Sequence, residues 1–280
     1  TILRTPLPKP VRLVKGSHIV VRRRFEHDTG YILQAEDGRV VFALPFADAF
    51  TMIGTTDEKF VGDVNAPAPD AREILYLCDV MNQYFRDKVT PDELVWSFSG
   101  VRALVDDGSD RPEDVTRDYE LVLDEPFRVA PLLTVYGGKI TTYRRLAEAA
   151  MARIGPFFKT RPAWTAESHL PGGDFLPQDF YAQVAETIGR WPFLSEPQAR
   201  RLVRAYGTRV AMILGAAQSM DDLGPRLTED LTGAEVRYLV EQEWAETAED
   251  VLWRRTKLGL KANADERIAI NRFIVSLAAA

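Results

Sequence analysis

Alternating apolar and polar positions dominate the beginning of the chain. From His18 to about Glu58 the sequence contains four runs with the two-residue period of β-strands: "HIVVRRRF", "TGYILQ", "RVVFALPF" and "FTMIGTTD". Asp37-Gly38 separates the second run from the third and predicts a tight primed hairpin turn, because such a turn needs the positive φ angles that Asp and Gly tolerate. The pattern predicts strands that are antiparallel neighbours.

A helical period replaces this alternation in "PDAREILYLCDVMNQYFRD". Asp70 and Glu73 have the spacing of a capping box at the start of the helix. Cys78 lies on the apolar stripe and is therefore predicted to be a packing residue. The stripe consists of Ile74, Leu77, Cys78, Met81 and Phe85.

Strand-like runs return in "LVWSFSGVRAL", "RDYELVL" and "LLTVYGG", and a helix is predicted from near Thr141 to Gly155-Pro156. A linker rich in Pro, Gly and Ser follows at residues 156 to 176, and only helical patterns follow it. The predicted fold class is α+β. A mainly antiparallel sheet domain, residues 1–157, precedes an all-α domain, residues 158–280.

Composition narrows the class of protein. The chain has 280 residues, of which 46% are hydrophobic and 27% charged, as in soluble globular proteins. A formal net charge of -6 argues against a general nucleic-acid binder, whose affinity depends on neutralising phosphates. The single cysteine excludes an intrachain disulfide and a cysteine-based metal site, and it indicates a reducing compartment such as the cytoplasm. The first residues enter strand-like sequence abruptly, so we expect a fragment of a longer chain.

The stretch "VYGGKITTYRRLAEAAM" joins a predicted strand to a predicted helix through Gly137-Gly138. Two glycines allow the backbone to turn sharply and approach a ligand, and Thr141 or Thr142 is predicted to cap the helix. A helix N-terminus next to Lys139 favours an anion. The alternative is an ordinary strand-turn-helix connection with a solvated lysine, which this stretch alone favours.

Three basic residues follow or precede strand ends: Arg102, Arg117 and Lys139. Guanidinium and ammonium groups suit phosphate oxygens, so the three side chains are candidates for one phosphate site, although surface positions are the commoner fate of Arg and Lys. The segment "VLWRRTKLG" is interpreted as a core residue, Trp253, followed by solvated basic residues at 254, 255 and 257.

Histidines are few, and none has the spacing of a zinc site, so no metal is predicted. His18 follows Lys-Gly-Ser at the start of a strand, where an imidazole can act as a general base near neutral pH. A lone histidine is more often a hydrogen-bonded structural residue.

Seven segments together resemble the FAD-dependent, respiratory glycerol-3-phosphate dehydrogenases, in the same order and over nearly the whole chain. They are "VRLVKGSHIVV", "GRVVFALPF", "TMIGTTDE", "WSFSGVRAL", "TRDYEL", "LLTVYGGKITTYRRLAE" and "AEDVLWRRTKLGL". The resemblance implies the substrate-binding sheet part of an FAD-dependent oxidoreductase (DAO-like) fold with an all-α C-terminal domain. It also implies that the N-terminal Rossmann segment of the family, which carries the ADP half of FAD, lies outside these residues.

The same resemblance implies site roles and a reaction. His18 is the candidate base, Arg102 lies near the reacting carbon, and Arg117 and Lys139 hold the substrate phosphate. The flavin ring is implied to lie against Gly137, Gly138, Lys139, Ile140 and Thr141. The implied reaction oxidises sn-glycerol 3-phosphate to dihydroxyacetone phosphate, with hydride passing to FAD and electrons to a quinone.

Further implications concern location and assembly. The resemblance implies a cytoplasmic protein peripherally associated with the inner face of the membrane, with a possible homodimer and no nucleic-acid partner. The chain alone is expected to lack FAD and activity. Two alternatives remain: an oxidase that uses oxygen, and a non-catalytic phosphate-binding or dimerisation module. Arg22 and Ala103 occupy positions where many relatives carry proline, which leaves the local loop shapes open.

Overall fold

The computed structural model describes residues 9–106, 118–125 and 130–278. The chain divides into two compact units, Thr1–Ala166 and Glu167–Ala280. In the described ranges, the first unit contains the sheets and two α-helices, and the second unit is helical. Within the described ranges, no helix is both long and apolar enough to cross a membrane.

A six-stranded antiparallel sheet forms the centre of the first unit. The long strand β1 pairs along its whole length with β6 on one side, and with β4 and then β5 on the other. Strands β2 and β3 extend the sheet beyond β4, so the predicted antiparallel pairing of successive strands holds from β2 to β4, whereas β1 pairs with β4 and not with β2. The strands are β1 Val11–Arg22, β2 Tyr31–Gln34, β3 Val40–Phe46, β4 Phe50–Gly54, β5 Glu58–Lys59 and β6 Leu94–Val105.

The hairpin between β2 and β3 differs in detail from the prediction. Gly38 has a φ of 85°, but Asp37 is not in the left-handed region. The Gly38 N–H donates to the Ala35 carbonyl at 2.9 Å, and the Ala35 N–H donates to the Arg39 carbonyl at 2.8 Å. The loop is therefore a longer turn with one left-handed glycine, because only Gly38 needs positive φ when three residues, 36 to 38, lie between the hydrogen-bonded pair Ala35 and Arg39.

Helix α1, Ala71–Tyr84, covers one face of the sheet. Its capping box is formed as predicted: the Asp70 carboxylate accepts from the Glu73 N–H, and the Glu73 carboxylate accepts from the Asp70 N–H, both at 2.9 Å. The predicted apolar stripe packs against alternate residues of β1. Cys78 is buried in this contact, so its predicted packing role is confirmed. The packing of α1 therefore shields this face of the sheet from water.

Two further strands and a helix complete the first unit. Strands β7, Tyr119–Asp124, and β8, Leu132–Gly137, form an antiparallel pair, and β8 lies beside β6. A single 3₁₀ turn, Ile140–Thr142, leads into helix α2, Tyr143–Ile154.

The second unit packs its helices around one apolar core, and the prediction of an all-α domain is confirmed. A buried ion pair between Arg201 and Glu235 lies within that core. The elements are α3 Phe180–Arg190, α4 Glu196–Tyr206, α5 Val210–Leu214, α6 Gly233–Glu243, a π-helical segment Asp250–Arg255 and α7 Ala264–Ala278.

The interpretation of the "VLWRRTKLG" segment is wrong in part. Trp253 packs against the core as expected, but Arg255 donates from both Nε and Nη2 to the Glu243 carbonyl, at 2.9 and 2.7 Å. Lys257 donates to the Trp253 carbonyl. These two cations satisfy carbonyls near the ends of helical segments, where backbone acceptors lack intrahelical partners.

Candidate active site

One face of the central sheet carries α1, and the opposite face carries the chemistry-bearing side chains. Because side chains alternate along a strand, Gly16 and His18 of β1 point away from the α1 face. Antiparallel pairing places His18 opposite Gly54 on β4 and opposite Phe98 on β6. Arg102 lies two pairs further along β6 than Gly100, on the same face. The register thus brings the candidate base and a candidate substrate arginine to one surface.

His18 occupies a slot between an aromatic ring and a glycine. Its imidazole stacks on Phe98 with ring centroids 4.9 Å apart and planes 3° from parallel. A side chain at position 54 would overlap the imidazole, so Gly54 provides the room for it. The Phe98 ring also stacks on Trp96 at 4.6 Å. This row gives the histidine a fixed orientation on an apolar wall.

The imidazole of His18 is set up to remain neutral. Burial, and secondly the nearby Arg102 guanidinium, lower the pKa of His18 from 6.5 to about 4. Nδ1 is buried with no hydrogen-bond partner among the described residues, whereas Nε2 is not among the buried unpartnered atoms. A neutral imidazole with an open nitrogen can accept a proton from a bound hydroxyl.

The Arg102 guanidinium lies over the backbone of β1. Nη1 donates to the Asp57 carboxylate at 2.7 Å, and Nη2 donates to the Thr55 hydroxyl at 3.4 Å. A Cβ at Gly16 would come within 2.6 Å of both terminal nitrogens, so the absence of a side chain there lets the guanidinium lie close to the strand. These partners were not foreseen from the sequence. The only local signal was the Thr-Thr-Asp run directly after a strand.

Both residues of the Gly137-Gly138 turn have positive φ angles, a backbone conformation that favours glycine. The two φ angles are 63° and 96°. A Cβ at Gly137 would lie 2.8 Å from the Asp118 carbonyl oxygen, and one at Gly138 would lie 3.2 Å from the Tyr119 Cβ. Close packing on β7 therefore explains both glycines in part.

Thr142 occupies the N-cap position of α2, as predicted, but its side chain makes no capping hydrogen bond, so the prediction is wrong in that part. The Thr142 hydroxyl instead donates to the Lys139 carbonyl at 2.9 Å. This bond stabilises the 3₁₀ turn, which delays the start of the α-helix to Tyr143. Lys139 and Ile140 remain exposed, and Ile140 has 87% of its surface open to solvent.

The predicted site residues fall into two groups. His18 and Arg102 share one face of the central sheet, whereas Lys139 follows β8, and its ammonium group makes no hydrogen bond or ion pair with any described residue. Arg117 lies outside the described residues. Among the residues that the structure does describe, no group of three or more His, Cys, Asp or Glu side chains is arranged to hold a metal ion.

Comparisons with known proteins match both units. The family model described as FAD dependent oxidoreductase matches residues 2–144, and the model of the C-terminal domain of alpha-glycerophosphate oxidase matches residues 163–279.

Curated relatives cover nearly the whole chain. It is 46% identical over 272 residues to the aerobic glycerol-3-phosphate dehydrogenase of Escherichia coli (strain K12), with 96% of this chain and 54% of the relative covered. It is 43% identical over 261 residues to the D-erythritol 1-phosphate dehydrogenase of Brucella abortus (strain 2308), with 92% and 52% covered. The chain thus spans about half the length of the curated relatives it matches.

A solved structure has the same fold. The X-ray structure of the glycerol-3-phosphate dehydrogenase from Bacillus halodurans complexed with FAD aligns with a TM-score of 0.71 at 24% identity, covering 99% of this chain and 58% of that one. The sheet unit has the fold expected of a DAO-like oxidoreductase, and the helical unit that of its companion C-terminal domain. The chain belongs to the family of FAD-dependent oxidoreductases.

Proposed function

We propose that this chain forms the substrate-binding and C-terminal parts of a dehydrogenase that oxidises glycerol 3-phosphate to dihydroxyacetone phosphate. The observation that carries the proposal is the pairing of a neutral His18, with an open nitrogen, and Arg102 on one face of the central sheet. Relatives at 42 to 46% identity that are named glycerol-3-phosphate dehydrogenase support the choice of substrate.

His18 is the proton acceptor in this proposal. Its Nε2 takes the proton of the substrate C2 hydroxyl while the C2 hydrogen leaves as hydride. A pKa of about 4 makes the free imidazole a weak base, but a phosphate dianion bound nearby favours the imidazolium and raises this pKa toward the working pH. Substrate binding thus prepares the base for its task.

The basic residues hold the anionic substrate. Arg102 stabilises the oxygen on C2 as negative charge develops there, because a charged donor is most effective where charge appears during the reaction. Lys139 and Arg117 contact the phosphate. Lys139 suits this role because its ammonium group is exposed and unpaired among the described residues. The assignment of Arg117 depends on the family resemblance alone.

The residues after β8 fit the ring end of FAD. Two consecutive glycines with positive φ present backbone without Cβ atoms, and Ile140 exposes an apolar side chain that suits an aromatic ring surface. Gly137, Gly138, Lys139, Ile140 and Thr141 would hold the ring there. When bound there, FAD would supply the acceptor for the hydride that leaves C2. His18 and Arg102 hold the substrate carbon and its proton for that transfer.

The proposal also covers the final electron acceptor, the location in the cell and the oligomeric state. We assign a quinone as final acceptor, with oxygen as the alternative, and a cytoplasmic location at the inner face of the membrane. A homodimer is the proposed assembly. Cosedimentation with anionic liposomes and sizing in solution test the last two assignments. The D-erythritol 1-phosphate dehydrogenase relative makes a longer polyol phosphate the second candidate substrate.

The test of the proposed function uses a chimera in which the part of the E. coli relative that this chain does not cover precedes the chain. With FAD, glycerol 3-phosphate should reduce a dye, and His18→Asn should lower kcat at least 100-fold. The 280-residue chain alone should be inactive. D-erythritol 1-phosphate as the better substrate would replace the first assignment with the second.

A matched pair of glycine variants tests the site geometry. Gly16→Ala places a methyl group against the Arg102 guanidinium, whereas a Cβ at Gly100, directly opposite Gly16 on β6, meets no atom within 4 Å. We expect Gly16→Ala to lower kcat/KM at least 10-fold and Gly100→Ala to change it less than 2-fold. Equal effects would remove Arg102 from the proposed site.

A further inference from the structure

A short segment after β4 holds the site arginine. Thr55 and Asp57 both contact the Arg102 guanidinium, although they lie more than 40 residues before it in the sequence. The ion pair to Asp57 is short, at 2.7 Å, and both partners are partly buried. Asp57 is the one carboxylate in contact with Arg102 among the residues described.

The residue between these two contacts points the other way, into the closed side of the sheet. Thr56 is 1% exposed, and its hydroxyl donates to the Glu73 carboxylate at 2.8 Å. The same hydroxyl accepts from the Ser17 N–H at 3.0 Å, and the Thr56 N–H donates to the Ser17 carbonyl at 3.3 Å. Thr56 therefore fixes the segment directly to the residue that precedes His18.

Glu73 anchors this arrangement from the first turn of α1. Its buried carboxylate accepts from the Ser17 hydroxyl at 2.7 Å and pairs with Lys15 at 2.7 Å, in addition to Thr56. Burial alone would raise the pKa of Glu73, but these donors lower it below its usual value, so the carboxylate is ionised at neutral pH. A fully satisfied buried network of this kind rigidifies the elements that it joins.

We propose that Asp57 is a positioning residue that holds the Arg102 guanidinium over Gly16 and beside His18, and that Thr56 and Glu73 set the position of Asp57. A free arginine side chain samples many rotamers, and the ion pair with Asp57 removes that freedom before the substrate arrives. Nη2, which Asp57 does not engage, makes one long hydrogen bond to Thr55 and has a second N–H available for a ligand oxygen. The importance of this arrangement for catalysis rests on the proposed function.

The first test measures Arg102 itself in the 280-residue chain. Nitrogen-15 NMR of arginine side chains, with the Arg102 signals assigned by Arg102→Lys, reports the rate of guanidinium rotation. Asp57→Asn removes the charge and should accelerate this rotation at least 10-fold, because a charge-assisted hydrogen bond becomes a neutral one. Asp57→Glu should restore part of the restraint. Glu58→Gln removes the neighbouring carboxylate, which pairs with Arg39 instead, and should change the rotation less than 2-fold.

The second test measures turnover in the chimera described above. Asp57→Asn should lower kcat/KM for glycerol 3-phosphate 10- to 100-fold, Asp57→Glu should recover at least a third of the loss, and Glu58→Gln should stay within 2-fold of the parent. Unchanged Arg102 rotation in Asp57→Asn would overturn the proposal, as would a faster rotation with unchanged kcat/KM. If the parent chimera is inactive, the proposed function fails, and the rotation measurement still decides whether Asp57 holds Arg102.

Discussion

Among the residues that the structure describes, each unit buries one glutamate against a basic side chain. In the sheet unit, Glu73 is 4% exposed and is shared among Lys15 and several hydroxyl and backbone donors. In the helical unit, Glu235 is 1% exposed, and its two oxygens each accept from Arg201 at 2.7 Å. The Tyr206 hydroxyl also donates to Glu235, at 2.7 Å. The chemistry of the two clusters is similar, and their surroundings differ.

The two clusters differ in where the residues next to their hydrogen-bond partners lie. Glu73 binds Ser17 and Thr56, whose neighbours His18 and Asp57 belong to the open face of the same sheet. A strand has two faces, so a network on the closed face can position groups on the other. Glu235 is enclosed by the helical core. In this protein, the Glu73 cluster joins elements that continue to the candidate active site, and the Glu235 cluster joins helices of the second unit.

The largest loss of stability is expected at Glu235. Glu235→Ala leaves the Arg201 guanidinium charged and unpaired within the core and should reduce the free energy of unfolding of the helical unit by about 3–5 kcal/mol. Urea denaturation with hydrogen exchange of the helical peptides measures the change. Glu241→Ala on the same helix removes an exposed ion pair and should cost less than about 1 kcal/mol. Equal losses would contradict the structural role of the buried pair.

A smaller loss is expected when Lys15 is replaced. Lys15→Met should cost the sheet unit about 2–3 kcal/mol, since it removes the cation from a buried carboxylate. Glu73 has a lowered pKa when folded, so its contribution is present above the usual value of 4.5 and disappears as pH falls through the folded pKa. Acid unfolding of Lys15→Met should therefore begin at higher pH. Lys59→Met on the neighbouring strand is the control, because Lys59 is exposed.

His18 should make the stability of the sheet unit depend on pH, by up to about 3 kcal/mol. Its pKa is about 4 when folded and 6.5 when unfolded, so between these values the unfolded chain binds more protons. Stability should be constant above pH 6.5 and fall as pH decreases toward 4. Denaturation of His18→Asn should lack this slope. An NMR titration that gave His18 a pKa near 6.5 in the folded chain would contradict the burial of its imidazole beside Arg102.

The smallest effect is expected at Cys78, on the closed face. Burial, and secondly the charge of Asp79, raise the pKa of this thiol to about 11. At pH 8, a thiol reagent should react with Cys78 at least 100-fold more slowly in the folded chain than in the chain unfolded by urea. Rapid labelling of the native chain would show that the α1 face opens readily.

Local patterns were sufficient to predict the strands, α1 and its capping box, because each of these depends on residues a few positions apart. The Gly137-Gly138 turn was also recognisable, since its backbone shape needs glycine. Residue chemistry supplied His18, Arg102, Arg117 and Lys139 as candidates, and the family resemblance assigned each of them a role. The side-chain caps at Thr141 or Thr142 did not form, and the Thr142 hydroxyl instead donates to the Lys139 carbonyl within the 3₁₀ turn.

The sequence by itself determined which segments form strands and helices, the order of the two units and the family to which the chain is related. The tertiary structure decided that Asp57 holds Arg102, that Gly54 makes room for His18 and that Glu73 anchors both from the far side of the sheet. The physical reason is register. These contacts join strands and a helix that lie far apart in the chain, and only their pairing specifies which side chains meet.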